Sequence, residues 1–298
     1  MCYRWLLADD MHTSTATGIR WFPLLLLLSV FTAARAQKVT WLPLKLQSGS
    51  PVLFSVDLDQ PATDVHGTWL HQPVTFAKAG QGNHWYALAG IDVEQEPGTY
   101  PLELSVDGRS QTTLVSVRAA NYRTTTLHVQ EKFVTPDAAS LQQIAADKAA
   151  KDAAYAHQES EPLWSGSFHS PVPFSPTDSF GTRRMFNGKL ASIHRGTDFH
   201  APPGTPVTAA NDGVVLIAQP MFYEGNLVVI DHGQHFSTLY MHLSKIQVKA
   251  GERVTKGQRL GLSGATGRVT GPHLHFAARW HDMYVDAAML LRMTLPPR

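Results

Sequence analysis

Phe236-Ser237-Thr238-Leu239-Tyr240-Met241-His242-Leu243 alternates polar and apolar side chains at the period of a β-strand, with Thr238, Tyr240 and His242 on one face and Leu239, Met241 and Leu243 on the other. The alternation predicts a strand with one polar and one apolar surface and directs His242 away from the apolar side. Around it, 214–218, 226–231, 259–263 and 273–279 read as further strands, with turns at Asn211-Asp212-Gly213 and Asp231-His232-Gly233. Helix signals are scarce from Phe180 to Leu291, so this half is expected to be an open antiparallel β-sheet, folded partly on itself and carrying a groove.

Upstream, residues 39–117 also read as short strands between turns. Tyr100, Leu102, Leu104 and Val106 alternate with Pro101, Glu103 and Ser105 between Glu96-Pro97-Gly98 and Asp107-Gly108. The region is expected to form a small β-sandwich in which Trp69, Trp85 and Tyr86 serve packing rather than a carbohydrate platform. One helix separates the halves. Thr135 is placed to cap it, Pro136 suits its first turn and Asp137 puts negative charge at its positive end, before an alanine-rich run through Ala156. Leu141, Ile144 and Ala145 give it a narrow apolar face, Lys148, Lys151 and Asp152 are expected to stay wet, and the helix reads as a connector. The proline-bearing stretch 165–176 then leads into the second half.

The N-terminus has the parts of a secretory signal: Arg20, an apolar run of 12 residues over 21–32, and Ala34-Arg35-Ala36 as a cleavage point, so the mature chain is expected to begin near Gln37. That run is shorter than the about 18 residues a membrane span needs, so no stable span is expected after cleavage. The sole cysteine, Cys2, lies in or before the signal, which leaves the mature chain without thiols. Any zinc site must then use histidine and carboxylate ligands. With 25 basic against 24 acidic residues, no global field draws the chain to nucleic acid. Of 15 histidines, eight stand at or after His194, a bias that points to a metal or proton-transfer site there.

Two motifs carry that site. In His194-Arg195-Gly196-Thr197-Asp198 an imidazole and a carboxylate can reach one ion from a turn, with glycine letting the chain bend. In His273-Leu274-His275 the period-two rule puts both imidazoles on one strand face. Packing alone explains such a pair poorly, because four ring nitrogens would need partners. Tyr240 reads either as a hydroxyl near the site or as a buried aromatic beside it. Arg183, after Phe180-Gly181-Thr182, reads as a loop-fixing residue or as a contact for a substrate carboxylate.

The second half resembles the lysostaphin-type (LytM-type) zinc endopeptidases of bacterial cell walls. The resemblance rests on PFSPTDSFGTRRMFNGK, HRGTDFHAPPGTPVTAANDGVV, GNLVVIDHG and STLYMHLSKIQVKAGERVTKGQRLGLSGATGRVTGPHLHF, and covers Phe174 to about Leu291. It implies His194, Asp198 and His275 as ligands of Zn2+, and His242 and His273 as catalytic histidines outside the ligand set. His273 is favoured as general base and His242 as the group that orients water and stabilises charge, with exchange of the two roles left open. Val285-Asp286-Ala287 stands where Val-Asp-Pro is usual in the family, a difference of local turn. More weakly, HWYALAGIDVEQEPGTYPLELSVDG resembles the immunoglobulin-like domain that precedes the peptidase in many envelope members.

The expected organisation is therefore a signal peptide over 1–36, an immunoglobulin-like β domain over 38–128, a helical linker over 129–159 and a peptidase domain over 160–298. The implied function is an exported, periplasmic or cell-envelope zinc endopeptidase acting on peptidoglycan stem-peptide cross-links, with room for a regulatory protein partner. The rival is a catalytically silent module that binds or activates another wall hydrolase. Presence of all five site residues favours the enzyme.

Overall fold

The Asp107-Gly108 turn, with φ of 46° and 78°, closes the hairpin that pairs Gly98–Val106 with Arg109–Arg118. Two successive positive φ values are what a primed two-residue turn needs. Leu102 and Leu104 are buried while Pro101 and Glu103 face outward, as the alternation predicts. The hairpin is central to a five-stranded sheet in the order Leu46–Gln47, Arg109–Arg118, Gly98–Val106, Val65–Trp69 and Gln72–Thr75. A four-stranded sheet of Lys38–Leu42, Pro51–Asp57, His84–Gly90 and Ala77–Lys78 packs on it, and Phe54 meets Trp69 edge to face at 5.3 Å. Trp69, Trp85 and Tyr86 are all buried, so packing is their role.

These features belong to a computed structural model that describes residues 37–127, 135–186 and 189–297. The expected signal peptide lies outside the described residues. No helix among them is long and apolar enough to cross a membrane.

The second half is built on an eight-stranded antiparallel sheet. Its main path runs Pro176–Asp178, Thr197–Phe199, Leu274–Trp280, Phe236–Leu243, Gly225–Asp231, Gly213–Met221 and Arg253–Val254, with Met283–Val285 beside Leu274–Trp280. The chain is mainly β, as expected. Parallel pairing enters at Leu46–Gln47 with Arg109–Arg118 and at Thr124–Leu127 with Arg183–Phe186, where a strand following the first sandwich extends a sheet of the second half.

Both faces of the central strands are covered. All eight residues of Phe236–Leu243 are buried. Val228, Ile230, Tyr240 and Phe276 join the main core on one side, while Leu227, Val229, Leu239, Met241 and Ala277 form a second cluster on the other. The expected polar face is instead a buried hydrogen-bonded chain. Ala210 N donates to Tyr240 Oη at 2.8 Å, Thr238 Oγ1 lies 3.0 Å from that hydroxyl and 2.7 Å from His232 Nε2, and His232 Nδ1 donates to Asp212 O at 2.7 Å. Tyr240 is thus the buried aromatic of the two readings, and burial pushes its hydroxyl pKa upward.

The main core runs without interruption from the first sandwich into the second half. Tyr86 and Trp164 pack with ring centroids 5.3 Å apart. Gln234 Oε1 accepts from Leu88 N at 3.0 Å and from Trp164 Nε1 at 3.3 Å, while its Nε2 donates to Thr75 O at 2.9 Å. Gly90 approaches so closely that a Cβ there would lie 2.6 Å from Val285 Cγ1 and 3.1 Å from Trp280 Cβ. The described residues form one compact unit.

The helix Ala138–Tyr155 is capped by Asp137, whose side chain accepts from Ser140 N at 2.8 Å, rather than by Thr135. It is more than a connector. Its packed face is Asp147, Ala150, Lys151, Ala154 and Tyr155, displaced from the expected Leu141 stripe, and Leu141 is exposed. Asp147 Oδ2 accepts from Phe222 N at 2.7 Å and Lys151 pairs with Glu224 at 2.5 Å, so Lys151 does not stay wet. At the other end of the chain, Asp286 accepts from Ala288 N and Met289 N and caps Ala287–Leu290, which shapes that turn without the family's usual proline.

The buried imidazole of His232 predicts an acid-sensitive core. Burial pushes it down to about 4 from its ordinary 6.5. Above pH 6.5 neither state carries the proton; below it the unfolded chain takes a proton that the folded chain excludes, so stability falls until the folded site also titrates near pH 4. The linked loss is about 3 kcal/mol. His232→Gln is expected to lose less stability than the parent between pH 7 and 4.5 in urea unfolding, and equal losses would contradict the assignment.

Candidate metal centre

Strand pairing brings the two sequence motifs together. Thr197–Phe199 runs antiparallel to Leu274–Trp280 with Asp198 opposite His275, so carboxylate and imidazole sit side by side. His194 precedes this strand in a loop tied by His194 N to Thr182 O at 2.8 Å and Gly181 N to His194 O at 2.8 Å. Gly196 lets the loop close over the site: a Cβ there would lie 2.4 Å from His275 Nε2 and 2.8 Å from Phe276 O.

The result is a buried triangle of donor atoms. His194 Nε2 lies 3.0 Å from Asp198 Oδ1 and 3.0 Å from His275 Nδ1, and His275 Nδ1 lies 2.7 Å from Asp198 Oδ1. A tetrahedral zinc with bonds of about 2.0–2.1 Å gives edges of about 3.3 Å, so the triangle needs only slight expansion to take the ion. The protonation pattern makes the same point. His194 Nδ1 donates to Ser179 O at 3.0 Å, which leaves Nε2 as a lone pair facing a carboxylate oxygen and a second imidazole. Lone pairs that converge in a buried place call for a cation. Among the described residues this trio is the group of histidines and carboxylates arranged to hold one. Burial would raise the Asp198 carboxyl, but its close contacts with the two imidazoles outweigh it and hold it well below the usual carboxylate range. Burial pushes the His275 imidazole down.

His242 reaches the centre by a route the alternation does not show. The pairing of Gly225–Asp231 with Phe236–Leu243 skips a register step, Asn226 opposite Leu243 but Val228 opposite Tyr240, and His242 takes φ of 64°. This β-bulge breaks the period of two and separates His242 from Tyr240. Its ring comes to 5.0 Å from that of His273 and 6.0 Å from that of His275. Its Nδ1 donates to Thr266 O at 2.8 Å, and burial pushes its pKa down to about 3. His273 Nδ1 likewise donates to Gly271 O at 2.8 Å, and its Nε2 lies 3.6 Å from Asp198 Oδ1. Both rings therefore turn an Nε2 lone pair away from their backbone ties, at the edge of the donor triangle. A cavity of about 270 Å³ opens here, with His194, His242, His275, Tyr223 and Arg268 among its walls.

Of the eight downstream histidines, four converge. His200 is exposed, His232 belongs to the core, and His235 and His281 stack on each other with ring centroids 4.3 Å apart.

Arg184 was not singled out by sequence. Its Nη2 donates to Asp198 Oδ2 at 2.9 Å, so the carboxylate is held by one oxygen and offers the other to the triangle. Arg183, the expected candidate, is exposed, and its backbone N donates to Arg123 O at 2.9 Å. Which of two adjacent arginines turns inward depends on the pairing of Arg183–Phe186 with Lys189–Ile193, which has a register shift between Arg184 and Met185. Removing a group that orients a metal ligand typically costs 10–100-fold in metal affinity. Arg184→Met is expected to weaken zinc binding by about that factor in competition against a chelator; unchanged affinity would mean that the arginine does not orient Asp198.

The family model described as Peptidase family M23 matches residues 192–287, a span that contains His194, Asp198, His242, His273 and His275. A solved M23-type chain from Pseudomonas aeruginosa is 30% identical, with a TM-score of 0.64, over 83% of this chain and 96% of that one. The chain belongs to peptidase family M23. Its donor triangle fits the zinc of the M23 metallopeptidases. Peptidoglycan DD-endopeptidase ShyA of Vibrio cholerae is 54% identical over 101 residues, which are 34% of this chain and 24% of that protein. ShyC of the same organism is 44% identical over 125 residues, 41% of this chain and 29% of that protein. The chain thus matches less than a third of the length of these two relatives.

Proposed function

We propose that the protein is an exported zinc endopeptidase that hydrolyses peptide cross-links of bacterial peptidoglycan, working in the periplasm or cell envelope. The observation that carries this reading is the buried donor triangle of His194, Asp198 and His275 with two further imidazoles at its rim. The DD-endopeptidase names of the Vibrio cholerae relatives support the choice of substrate. A zinc ion held by these three residues would supply Lewis acidity and lower the pKa of a bound water.

His194, Asp198 and His275 act as ligands, and His242 and His273 act on protons. Because Nδ1 of each is committed to a backbone carbonyl, each presents Nε2 as an acceptor. His273, the more open of the two, takes a proton from the attacking water and passes it to the leaving nitrogen as general base and then acid. His242, fixed by the bulge, accepts a hydrogen bond that orients the water. Charge stabilisation by His242 would require a proton on Nε2, so orientation is the role its hydrogen bonds favour.

The DD-endopeptidase names of these relatives favour a D-alanyl cross-link over a pentaglycine bridge. The zinc-loaded protein is expected to release new amines from purified cross-linked peptidoglycan between pH 5 and 9 and to stop when chelated. No release at any pH in that range would favour the silent binding or activator module.

A further inference from the structure

Beside the metal cavity lies a larger one of about 560 Å³, and the two share Ser192, Ile193 and Arg195 as lining. Its far wall belongs to the first sandwich: Val93, Glu94 and Glu96 from the loop after His84–Gly90. Arg183 and Tyr122 complete the residues that matter here.

The wall is built rather than draped. Asp92 accepts from Glu94 N through Oδ1 at 2.8 Å and from Tyr284 N of the second half through Oδ2 at 3.0 Å. Ser48 Oγ donates to Gln95 O at 2.7 Å, and Tyr100 Oη donates to Glu96 O at 2.7 Å. Tyr122 Oη donates to Ser48 O at 2.6 Å, and Gly181 leaves room for its ring, since a Cβ there would lie 2.1 Å from it. Together with the continuous core, these ties hold the loop in place beside the metal cavity, as a fixed wall rather than a swinging cover.

The charges at this wall are exposed and of both signs. Glu94 pairs with Arg195, a neutral bridge across the cleft, while Glu96 and Arg183 also line the space with their charges reaching solvent. We propose that this cavity is a substrate subsite, made jointly by the first sandwich and the peptidase half, for a peptide residue that carries both a free carboxylate and a free ammonium. Arg183 takes the carboxylate and Glu96 the ammonium. The volume suits a short peptide segment, being within the about 300–1,000 Å³ usual for ligand sites. This deepens the endopeptidase reading and rests on it, since stem peptides have such residues next to the cross-link.

The test is titration calorimetry on the zinc-free full chain, so that nothing is cleaved. The probe is L-alanyl-γ-D-glutamyl-meso-diaminopimelyl-D-alanine, compared with the same peptide amidated at its carboxylates and acetylated at its amines. The charged peptide should bind the parent more tightly than the blocked one, and Arg183→Gln and Glu96→Gln should each weaken the charged peptide by about twofold to fivefold. Neither variant should alter binding of the blocked peptide or the zinc content after reconstitution. Equal binding of the two peptides to the parent, no binding of either, or no effect of either variant would overturn the proposal. Amine release from peptidoglycan by the parent is read separately: cleavage without charge-dependent binding sinks the subsite alone, and charge-dependent binding without cleavage sinks the endopeptidase reading alone.

Discussion

Alanine at Asp198 is expected to strip the protein of zinc and of hydrolysis together. Asp198 Oδ1 is common to both short contacts with His194 and His275, and its Oδ2 is the acceptor for Arg184. Without it two neutral imidazoles remain, too few donors for a three-ligand catalytic site. Alanine at His194 or His275 is expected to do the same by removing a nitrogen. Asp198→Asn separates metal loss from misfolding: it keeps the shape and removes the charge, so the fold should persist while zinc binding weakens. Metal analysis beside turnover on each variant checks this, and an Asp198→Ala protein that kept both would refute the ligand assignment.

His273→Ala and His242→Ala are expected to part metal from activity. Each imidazole lies at the rim of the triangle and is anchored through Nδ1 to a backbone carbonyl, Gly271 for His273 and Thr266 for His242. Zinc should therefore stay near one per chain while hydrolysis falls by about two or more orders of magnitude, the usual cost of losing a positioned acid–base group. Loss of zinc from either variant would place that histidine among the ligands and overturn the division of roles.

The donor set was legible because it depends on short-range chemistry. Four residues with a glycine between bring His194 and Asp198 to one point, and period two brings His273 and His275 to one face. The half-buried strand Gly98–Val106 was legible for the same reason. What the sequence hid depends on partners. The bulge at His242 exists only against Gly225–Asp231, so simple alternation assigned His242 to the face of Tyr240. Arg184 rather than Arg183 meets Asp198 because of a register shift set by the neighbouring strand. The packed face of Ala138–Tyr155 follows Lys151, Ala154 and Tyr155 because Glu224 and a second apolar cluster lie beneath it, which no helical periodicity announces. Likewise, neither β region announces the contact between them, in which Gln234 bonds to Leu88, Thr75 and Trp164 at once.

Anomalous scattering from crystals of the zinc-loaded protein, recorded on both sides of the zinc absorption edge, tests the central claim most directly. A single strong peak is expected about 2.0–2.1 Å from His194 Nε2, Asp198 Oδ1 and His275 Nδ1, with His242 and His273 outside bonding distance. A peak bonded to His242 or His273 in place of any of those three, or no peak at the triangle, would contradict it.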